Sequence, residues 1–402
     1  MQNTARRVVD IPELLTSVAY CLARRQRREL MLVSHYFFTS VGPTVWGEIP
    51  RLDIMLRLII GAKGSHQRYG RDRQGIHPSY SQTTITLPSN PDLSRYHIYA
   101  PWVRELEIFA GRNLEIQNAG PFLALFGGGP LLPNLRRVTT HTGADIGSKE
   151  MMKFLNMFIA PSLTEIRTII HKKGLPSYVH PSGVPAFIKK IKDTCPHIQV
   201  LEFYPESAYD CPEGYRPTDR CRDILRSFSN LRFFGSTTYI FEPSIFAIMG
   251  NLPHLAVLSV RGFYMEDPVL DAQVSIPETW FPALKVLRLY DTHPRDIKVL
   301  WKHPPVVKKL ISVLIHTDPT APPDRSDNVM DGNKWIEEFL TALPSLSPGL
   351  KDLTFYVGDE DGTKFQVSQH VRNGLHNLGL KHLDLKLRNT YGADSNDESN
   401  DE

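Results

Sequence analysis

Residues able to bind a metal ion or a phosphate group are the first candidates for chemistry in this sequence. Segment 327–338 carries acidic residues at the first, fifth and last positions of a twelve-residue calcium-loop pattern. Its third position is Val329, which offers no side-chain oxygen to calcium. The glycines at 127–129 precede Pro130, not the Lys and Ser/Thr of a phosphate-binding loop. The 15 histidines are scattered without a His-Glu-x-x-His arrangement. The sequence therefore predicts no enzymatic activity, no metal site and no cofactor.

The charge balance and the cysteine spacing indicate the compartment and the class of partner. The 46 basic and 43 acidic residues leave a net charge of +3, too balanced for a nucleic-acid-binding surface. Cys21, Cys195, Cys211 and Cys221 match neither a disulfide framework nor a zinc site, so we expect reduced thiols. No apolar stretch approaches the roughly 18 residues of a membrane helix, and no signal peptide follows the N-terminal arginines. We expect a soluble protein of the cytoplasm or nucleus that binds neither nucleic acid nor membrane.

Side chains suited to protein recognition stand at or next to predicted strands. Tyrosine and arginine are frequent anchors of protein interfaces, and Tyr204, Arg261, Arg288 and Tyr290 fall in three such segments. If the strands are in register, these four side chains form a substrate-binding surface, with Glu202 as a charged neighbour. The alternative is that Tyr204 and Tyr290 lie just past the strands and cover loops. The side chains expected on the whole surface are Glu105, Glu107, Phe109, Arg137, Glu165, Arg167, Glu202, Tyr204, Arg261, Arg288, Tyr290, Asp352, Tyr356 and Asp384.

Such a surface requires a regular frame, and a recurring phrase predicts one. The phrase is Pro-x-apolar-x-x-apolar, usually followed by one more alternating apolar residue. Its copies start at Pro101, Pro133, Pro161, Pro196, Ser229, Pro253, Pro282, Pro305, Pro348 and Gly379. The spacing averages about 31 residues, a period typical of solenoid proteins. Individual steps vary from 23 to 43 residues, which indicates degenerate repeats with loop insertions.

Each phrase predicts a turn and a short strand, because proline fixes its own φ and needs no hydrogen-bond donor at a strand start. Between the phrases, apolar residues recur at the i, i+3, i+4 spacing of helices. The predicted fold class is an α/β solenoid of leucine-rich-repeat type over residues 99–389, with parallel strands on one face and helices on the other. Residues 51–98 are a connecting segment with an exposed loop at 61–82, and residues 390–402 form a disordered acidic tail.

The first fifty residues differ from the repeats. The segment from Ile11 to Leu15 opens a helix, residues 24–28 form a basic turn, and residues 29–38 open a second helix. Val41-Gly-Pro-x-x-Trp46 closes an all-α helical unit over residues 1–50. The apolar residues of this unit form a surface larger than a small bundle can bury, so part of it should be exposed to a partner.

This order resembles the F-box, which has a Leu/Ile-Pro-x-Glu-Leu/Ile-Leu start, a middle helix with a Val-(Cys/Ser)-(Arg/His) step and a terminal Trp. The resemblance covers roughly residues 9–50. F-boxes usually carry Asp or Asn and small residues where this chain has its run of arginines at 24–28. Joined to the repeats, the chain resembles the F-box/leucine-rich-repeat proteins abundant in fungi.

The resemblance implies a substrate-recognition subunit of an SCF-type ubiquitin ligase. In that family the F-box binds a Skp-type adaptor, and through it a cullin scaffold, while the solenoid holds a protein substrate. The alternative is a leucine-rich-repeat scaffold outside any ligase. The residues expected to bind the adaptor are Ile11, Pro12, Leu14, Leu15, Val18, Leu22, Leu30 and Val33.

Overall fold

The computed structural model describes residues 11–69, 80–108, 113–141, 148–169, 178–206, 215–262, 267–317, 334–357, 363–364 and 368–389. The chain divides into two compact units, the first from residues 1–183 with 193–198 and the second from residues 184–192 with 199–402. The calcium-loop pattern and the acidic tail considered above lie wholly or mostly outside the described residues.

The helices in the described ranges are α1 Pro12–Tyr20, α2 Arg24–Met31, α3 His35–Trp46, α4 Leu52–Leu56, α5 Ser94–Tyr99, α6 Ala119–Ala124, α7 Ser148–Met157, α8 Val184–Thr194, α9 Asp219–Arg226, α10 Pro243–Gly250, α11 Pro294–Trp301, α12 Pro304–Val307, α13 Lys334–Leu346 and α14 Gln369–Asn377. The strands are β1 Glu48–Ile49, β2 Lys63–Tyr69, β3 Tyr80–Thr86, β4 Glu105–Ile108, β5 Asn113–Gln117, β6 Arg137–His141, β7 Glu165–Ile169, β8 Tyr178–Val179, β9 Val200–Glu202, β10 Tyr204–Pro205, β11 Phe233–Thr237, β12 Val257–Arg261, β13 Val286–Tyr290, β14 Ser312–Thr317, β15 Asp352–Val357, β16 Thr363–Lys364 and β17 His382–Asn389.

A repeated turn precedes the strands. Around Pro282, the Leu284 amide donates to the Phe281 carbonyl at 3.3 Å. The proline thus occupies the second position of a β-turn, where its fixed φ is favoured. The equivalent bond is donated by the amides of Leu135, Leu163, Leu255 and Leu350. The proline of the phrase is therefore a turn residue, as predicted.

One carbonyl group per repeat joins consecutive repeats. The Lys285 carbonyl accepts hydrogen bonds from two successive amides, those of Ile311 at 2.8 Å and Ser312 at 3.1 Å. The same role falls to the carbonyls of Gly47, Arg104 and Arg136 in the first unit, and of Gln199, Arg232, Ala256, Lys285, Ile311 and Lys351 in the second. Each strand therefore starts at the same level as the strand before it.

Both units contain the parallel sheet that the repeats predict. In the first unit β1, β4, β6 and β7 pair in that order, all parallel. In the second unit the order is β9, β11, β12, β13, β14, β15 and β17, again parallel, with β16 antiparallel to β17. Helices separate most neighbouring strands of these sheets, although the described residues between β12 and β13 contain none, so the coarse prediction of an α/β solenoid is confirmed.

The register aligns the core side chains of the second unit into rows. Leu258, Leu287, Val313 and Leu353 occupy matching positions on four adjacent strands, and all four are buried. Helices cover this face, as the contacts of Phe355 on β15 with aromatic residues of α13 show. Its ring centroid lies 5.6 Å from that of Phe339 and 6.2 Å from that of Trp335.

Two local predictions were wrong. The repeat phrase does not begin at Pro305, because Pro304 and Pro305 start helix α12. The turn lies three residues later, where the Leu310 amide donates to the Val307 carbonyl. The segment 61–82, predicted as an exposed loop, instead contains β2 and the start of β3, which pair antiparallel, while β5 pairs parallel with β3. Residues 82–86 include three threonines and Ile85, and β-branched residues such as these favour strands.

We predict that Leu287→Ala lowers the free energy of unfolding by about 2–5 kcal/mol, because Leu287 is completely buried in the strand row. Leu383 occupies the equivalent row on β17 but is 46 % exposed. Leu383→Ala, the matched control, should change stability by about 0.5 kcal/mol or less. Denaturant unfolding of both variants measures the difference. Equal losses of unfolding free energy would contradict the assignment of Leu287 to the buried row.

Candidate functional site

The N-terminal helices α1, α2 and α3 pack around a small apolar core. Its buried members are Leu15, Ala19, Met31, Val41 and Val45, against which Leu30, Phe37, Phe38, Trp46 and Trp102 pack. Three helices are therefore present over residues 12–46, whereas residues 48–49 of the helical unit predicted over residues 1–50 form strand β1.

The middle helix starts earlier than predicted, within the basic run itself. Arg27 Nη1 donates to the Thr44 carbonyl at 2.8 Å, and Arg24 Nη2 donates to the Glu48 carbonyl at 3.2 Å. Thr44 lies in the last turn of α3, where unpaired carbonyl groups and the helix dipole favour cations, and Glu48 lies just beyond it in β1. The arginines are therefore helical and join α2 to α3; they do not form a turn.

The predicted helix over residues 29–38 is interrupted at residues 32–34. The Ser34 hydroxyl accepts a hydrogen bond from the Phe37 amide at 3.3 Å and caps a new helix, α3. The interruption exposes two consecutive apolar side chains, Leu32 at 86 % and Val33 at 64 %. Sequence reasoning missed the break, although Ser34 is a favourable capping residue.

Helix α1 also presents apolar side chains to solvent. Ile11 and Leu14 are each 43 % exposed and Val18 is 47 % exposed, at positions that share one side of the helix. We call the exposed apolar and aromatic side chains of this unit the apolar surface; its members are Ile11, Leu14, Val18, Tyr20, Leu32, Val33 and Tyr36.

The eight residues expected to bind an adaptor fall into three classes. Ile11, Pro12, Leu14, Val18 and Val33 are exposed, and Leu22 and Leu30 are half-buried. Leu15 is only 4 % exposed and belongs to the core, so its assignment to a binding surface was wrong. Leu14 and Val18 lie four residues apart on the exposed side of the helix, whereas Leu15 lies on the core side with Ala19.

In the second unit the register brings three of the four predicted substrate-binding residues together. Arg261 is paired in the ladder with Tyr290, and Ser259 with Arg288. The Arg261 guanidinium carbon lies 5.8 Å from the centroid of the Tyr290 ring. Arg288 is exposed, and its guanidinium carbon lies 5.7 Å from the centroid of the Phe233 ring. These are cation–π contacts on the sheet face that carries no core leucines.

The fourth residue, Tyr204, is completely buried, so its assignment as an exposed anchor was wrong. Its hydroxyl donates to Glu202 Oε1 at 2.6 Å. Burial, followed by the negative charge of Glu202, raises the pKa of the Tyr204 phenol well above its ordinary value. The neighbouring strand leaves room for this pair because it carries Gly235, where an added Cβ would lie 2.8 Å from Glu202 Cγ. The alternating residue pattern of a strand predicts neither the Tyr204–Glu202 hydrogen bond nor the space beside Gly235.

Arg261 is also buried, contrary to prediction, and Asp291 holds it there. Asp291 Oδ2 lies 2.8 Å from Arg261 Nη2, and Asp291 Oδ1 lies 2.6 Å from His316 Nδ1. Burial alone would raise the pKa of the Asp291 carboxyl, but the His316 and Arg261 contacts outweigh it and hold that pKa below its ordinary value. The backbone at Asp291 has φ +51°, a left-handed conformation that Asp and Asn tolerate.

We predict that Asp291→Asn lowers the free energy of unfolding by about 3–5 kcal/mol at neutral pH, because it leaves the buried Arg261 without its carboxylate. Since the pKa of Asp291 is depressed in the folded state, this stabilisation is present above the unfolded pKa of about 3.9. It is lost as the pH falls through the lower folded value.

Urea unfolding as a function of pH measures both effects. The control Asp223→Asn, at an exposed ion pair with Arg226, should change stability by about 0.5 kcal/mol or less. An Asp291→Asn variant as stable as the wild type at neutral pH would contradict the central role of Asp291.

Further along the sheet the face remains polar and aromatic. The Tyr356 hydroxyl donates to Asp384 Oδ2, and Lys386 Nζ lies 4.9 Å from the centroid of the Tyr356 ring. Burial and the Asp384 carboxylate raise the pKa of Tyr356 to about 12. Of the side chains expected on this surface, Phe109 lies outside the described residues.

The sheet of the first unit carries linked ion pairs on strands β4, β6 and β7. Arg137 lies between two glutamates, with Nη1 2.8 Å from Glu105 Oε2 and Nε 2.7 Å from Glu165 Oε2. Arg167 Nε lies 2.8 Å from the same Glu165 oxygen. Burial acts to raise the pKa of Glu165, but both arginines together lower it.

A cleft of about 380 Å³ opens over these strands. Its lining residues are Arg24, Glu48, Ile49, Pro50, Glu105, Leu106, Glu107, Arg137, Thr139 and Arg167. The sequence predicted that Glu105, Glu107, Arg137 and Arg167 share a face, but nothing in it placed Arg24 of α2 beside them.

The described ranges offer little for other chemistry. They contain no group of three or more His, Cys, Asp or Glu side chains placed to hold a metal ion. They also contain no helix with the length and apolar character needed to cross a bilayer. Cys21, Cys195 and Cys221 form no disulfide with one another, and Cys211 lies outside the described residues.

Comparisons with known proteins found only distant structural similarity. No protein-family model matches the chain, and no curated protein matches it in sequence. Among solved structures, the leucine-rich repeat-containing protein LegL7 from Legionella pneumophila is 13 % identical, with a TM-score of 0.34 over 74 % of this chain and 97 % of that chain. TLR13, solved as a complex with ssRNA13, is 13 % identical, with a TM-score of 0.27 over 69 % of this chain and 38 % of that chain. The fold assignment rests on the strand order and register described above.

Proposed function

We propose that this chain is a protein-interaction scaffold that serves as the substrate-recognition subunit of an SCF-type ubiquitin ligase. The three N-terminal helices bind a Skp-type adaptor and, through it, a cullin scaffold. The repeats bind a protein substrate, and the chain positions that substrate without chemistry of its own. The ligase complex brings the substrate close to a separate enzyme, and this proximity accelerates the transfer of ubiquitin.

The observation that carries the proposal is the apolar surface of the three-helix unit. Two of its side chains, Leu32 and Val33, are among the most exposed apolar residues of the described ranges. Exposed apolar side chains that lie together, as Leu14 and Val18 do on one side of α1 and Leu32 and Val33 do in sequence, mark sites of protein interaction. The surface includes Ile11, Leu14, Val18 and Val33, four of the residues that the F-box resemblance assigns to the adaptor.

The sheet face of the second unit supports the substrate half of the proposal. It offers Arg288, exposed and placed over an aromatic ring, beside the half-buried Tyr290. Arginine and tyrosine at the centre of a protein interface often contribute most of its binding energy. The underlying Asp291 and Arg261 hold Tyr290 in place, so the anchors stand on a rigid frame.

We predict that Leu14→Asp combined with Val18→Asp abolishes capture of a purified Skp-type adaptor. Burial of each apolar side chain contributes about 1.5–3 kcal/mol, so losing both weakens binding by more than about 100-fold. Both residues are exposed, and the variant should therefore unfold at the wild-type temperature.

The matched control is Ile98→Asp combined with Leu125→Asp, which charges two exposed apolar residues outside the three-helix unit. Pull-down with the full chain should leave adaptor capture by this control unchanged. A wild-type chain that captures no adaptor would favour the scaffold outside any ligase. Equal capture by wild type and the α1 variant would show that the adaptor binds elsewhere.

We predict that Arg288→Ala weakens substrate capture by about 2 kcal/mol or more if Arg288 is an anchor of the interface. The control is Arg295→Ala, an exposed arginine of α11. Proximity labelling with wild type, Arg288→Ala and Arg295→Ala compares the proteins recovered. Loss of partners in the Arg288→Ala sample alone supports the site, and identical partner sets in all three samples would contradict it.

A further inference from the structure

The last strand of the parallel sheet in the second unit, β17, has an open edge over most of its length. On one side β17 pairs with β15 from His382 to Leu387. On the other side β16 pairs with Arg388 and Asn389, and the described residues contain no strand that pairs with residues 382–387 there. The backbone groups of such an edge are a template for a strand of another chain.

The alternation of the backbone shows which groups of β17 are available. The His382 amide donates to the Lys351 carbonyl at 3.2 Å, on the side of β17 that faces β15. Successive residues of a strand direct their amide and carbonyl groups to opposite sides in the plane of the sheet. The amides and carbonyls of Leu383, Leu385 and Leu387 are therefore directed outward, away from β15.

Two apolar rows of the core end at this edge. Leu289, Ile315 and Phe355 align with Leu385 on three preceding strands and are completely buried. Leu385 itself is half-buried, and Leu383, at the end of the neighbouring row, is 46 % exposed. One more strand beside β17, with leucines in the same register, would bury both side chains.

The opposite face of β17 carries two charges of opposite sign. Asp384 accepts a hydrogen bond from the Tyr356 hydroxyl, and Lys386 Nζ lies 4.9 Å from the centroid of the Tyr356 ring. The neighbouring tyrosine therefore holds both charged side chains in place on the last strand. Charged side chains at an edge discourage pairing with another strand, except with a strand that brings the opposite charges to the same positions.

We propose that β17 pairs antiparallel with β17 of a second copy of this chain, around a two-fold axis that passes through residue 385. In this register residue 383 of each copy lies opposite residue 387 of the other, and Asp384 of each lies opposite Lys386 of the other. Residues 383, 385 and 387 exchange backbone hydrogen bonds across the axis. The charges fall at the intervening positions, where the side chains of an antiparallel pair approach most closely.

The charges and the leucines together determine the register. An axis through Asp384 would place two carboxylates opposite each other, and an axis through Lys386 would do the same with two ammonium groups, which is destabilising. An axis between two residues would place leucines opposite charged side chains on the same face. In the register through residue 385 the added strand ends where β16 covers residues 388–389.

A second copy is the occupant that fits both faces, because it has the leucine spacing and the opposite charges at the required positions. Pairing around a two-fold axis is closed, so it ends at a dimer. The dimer does not depend on the proposed function, since β17 belongs to the second unit and the adaptor is assigned to the three N-terminal helices.

Sedimentation velocity of the full chain at increasing concentration tests the proposal. The wild type should reach twice the mass of one chain. Lys386→Asp and Asp384→Lys each replace two attractive cross-strand pairs by two repulsive ones, so each variant alone should need a roughly tenfold higher concentration to dimerise. An equal mixture of the two variants should dimerise as the wild type does, because opposite charges then face each other again.

The matched control is Lys309→Asp, which makes the same charge change at an exposed lysine outside β17 and should leave dimerisation unchanged. Thermal unfolding should show that all variants are folded. A wild-type chain that stays monomeric at every concentration up to its solubility limit would overturn the inference. So would variants that dimerise like the wild type, or a mixture that dimerises no better than its components.

Oxidative cross-linking tests the register separately. In a Cys21→Ser background, Leu385→Cys places a thiol of each copy beside the axis, at a Cα separation of about 5.5 Å that allows a disulfide. Leu383→Cys, the control, lies opposite residue 387 and should form no more linked dimer than the background chain. Equal cross-linking through positions 383 and 385 would contradict the antiparallel register.

Discussion

The hydrogen bonds that one backbone carbonyl accepts from two successive amides of the next repeat determine the arrangement of everything else. The Ala256 carbonyl, for example, accepts from the amides of Lys285 at 2.9 Å and Val286 at 3.0 Å. The shared acceptor fixes where each strand starts, and a strand displaced by one residue would turn its core side chains to the opposite face. The buried rows of leucine and valine and the polar face opposite them both follow from this constraint.

The same constraint explains why the polar face can hold functional groups. In the first unit it places Glu105, Arg137 and Glu165 side by side as a chain of ion pairs. In the second unit it places Arg261 beside Tyr290, with Asp291 just beyond the strand. Rigid strands present these side chains at fixed spacing, so little conformational entropy remains to be lost when a partner binds.

The period, the turn and the parallel pairing could be predicted from the sequence because proline and the following leucine act locally. Pro305 misled the prediction because proline is also tolerated in the first turn of a helix, where Pro304 and Pro305 lie in α12. The helical position of residues 24–28 was missed because the carbonyl groups that accept from Arg24 and Arg27, those of Glu48 and Thr44, are far away in sequence.

The burial of Tyr204 and Arg261 also depends on distant residues. Tyr204 bonds to Glu202 beside the side-chain-free position Gly235, and Arg261 pairs with Asp291 of the next repeat. Strand alternation places a residue on a face, but whether that face is open depends on neighbouring repeats. The cleft at Arg24 had no signal in the sequence, because helix and strand residues meet there only in the folded unit.

The central claim is that the three helices and the sheet face bind different partners. Hydrogen–deuterium exchange of the full chain, with and without a purified Skp-type adaptor, tests it most directly. We expect slower exchange in the peptides covering residues 11–36 and unchanged exchange in the strands at 286–290 and 312–317. Unchanged exchange over residues 11–36, or protection confined to those strands, would contradict it.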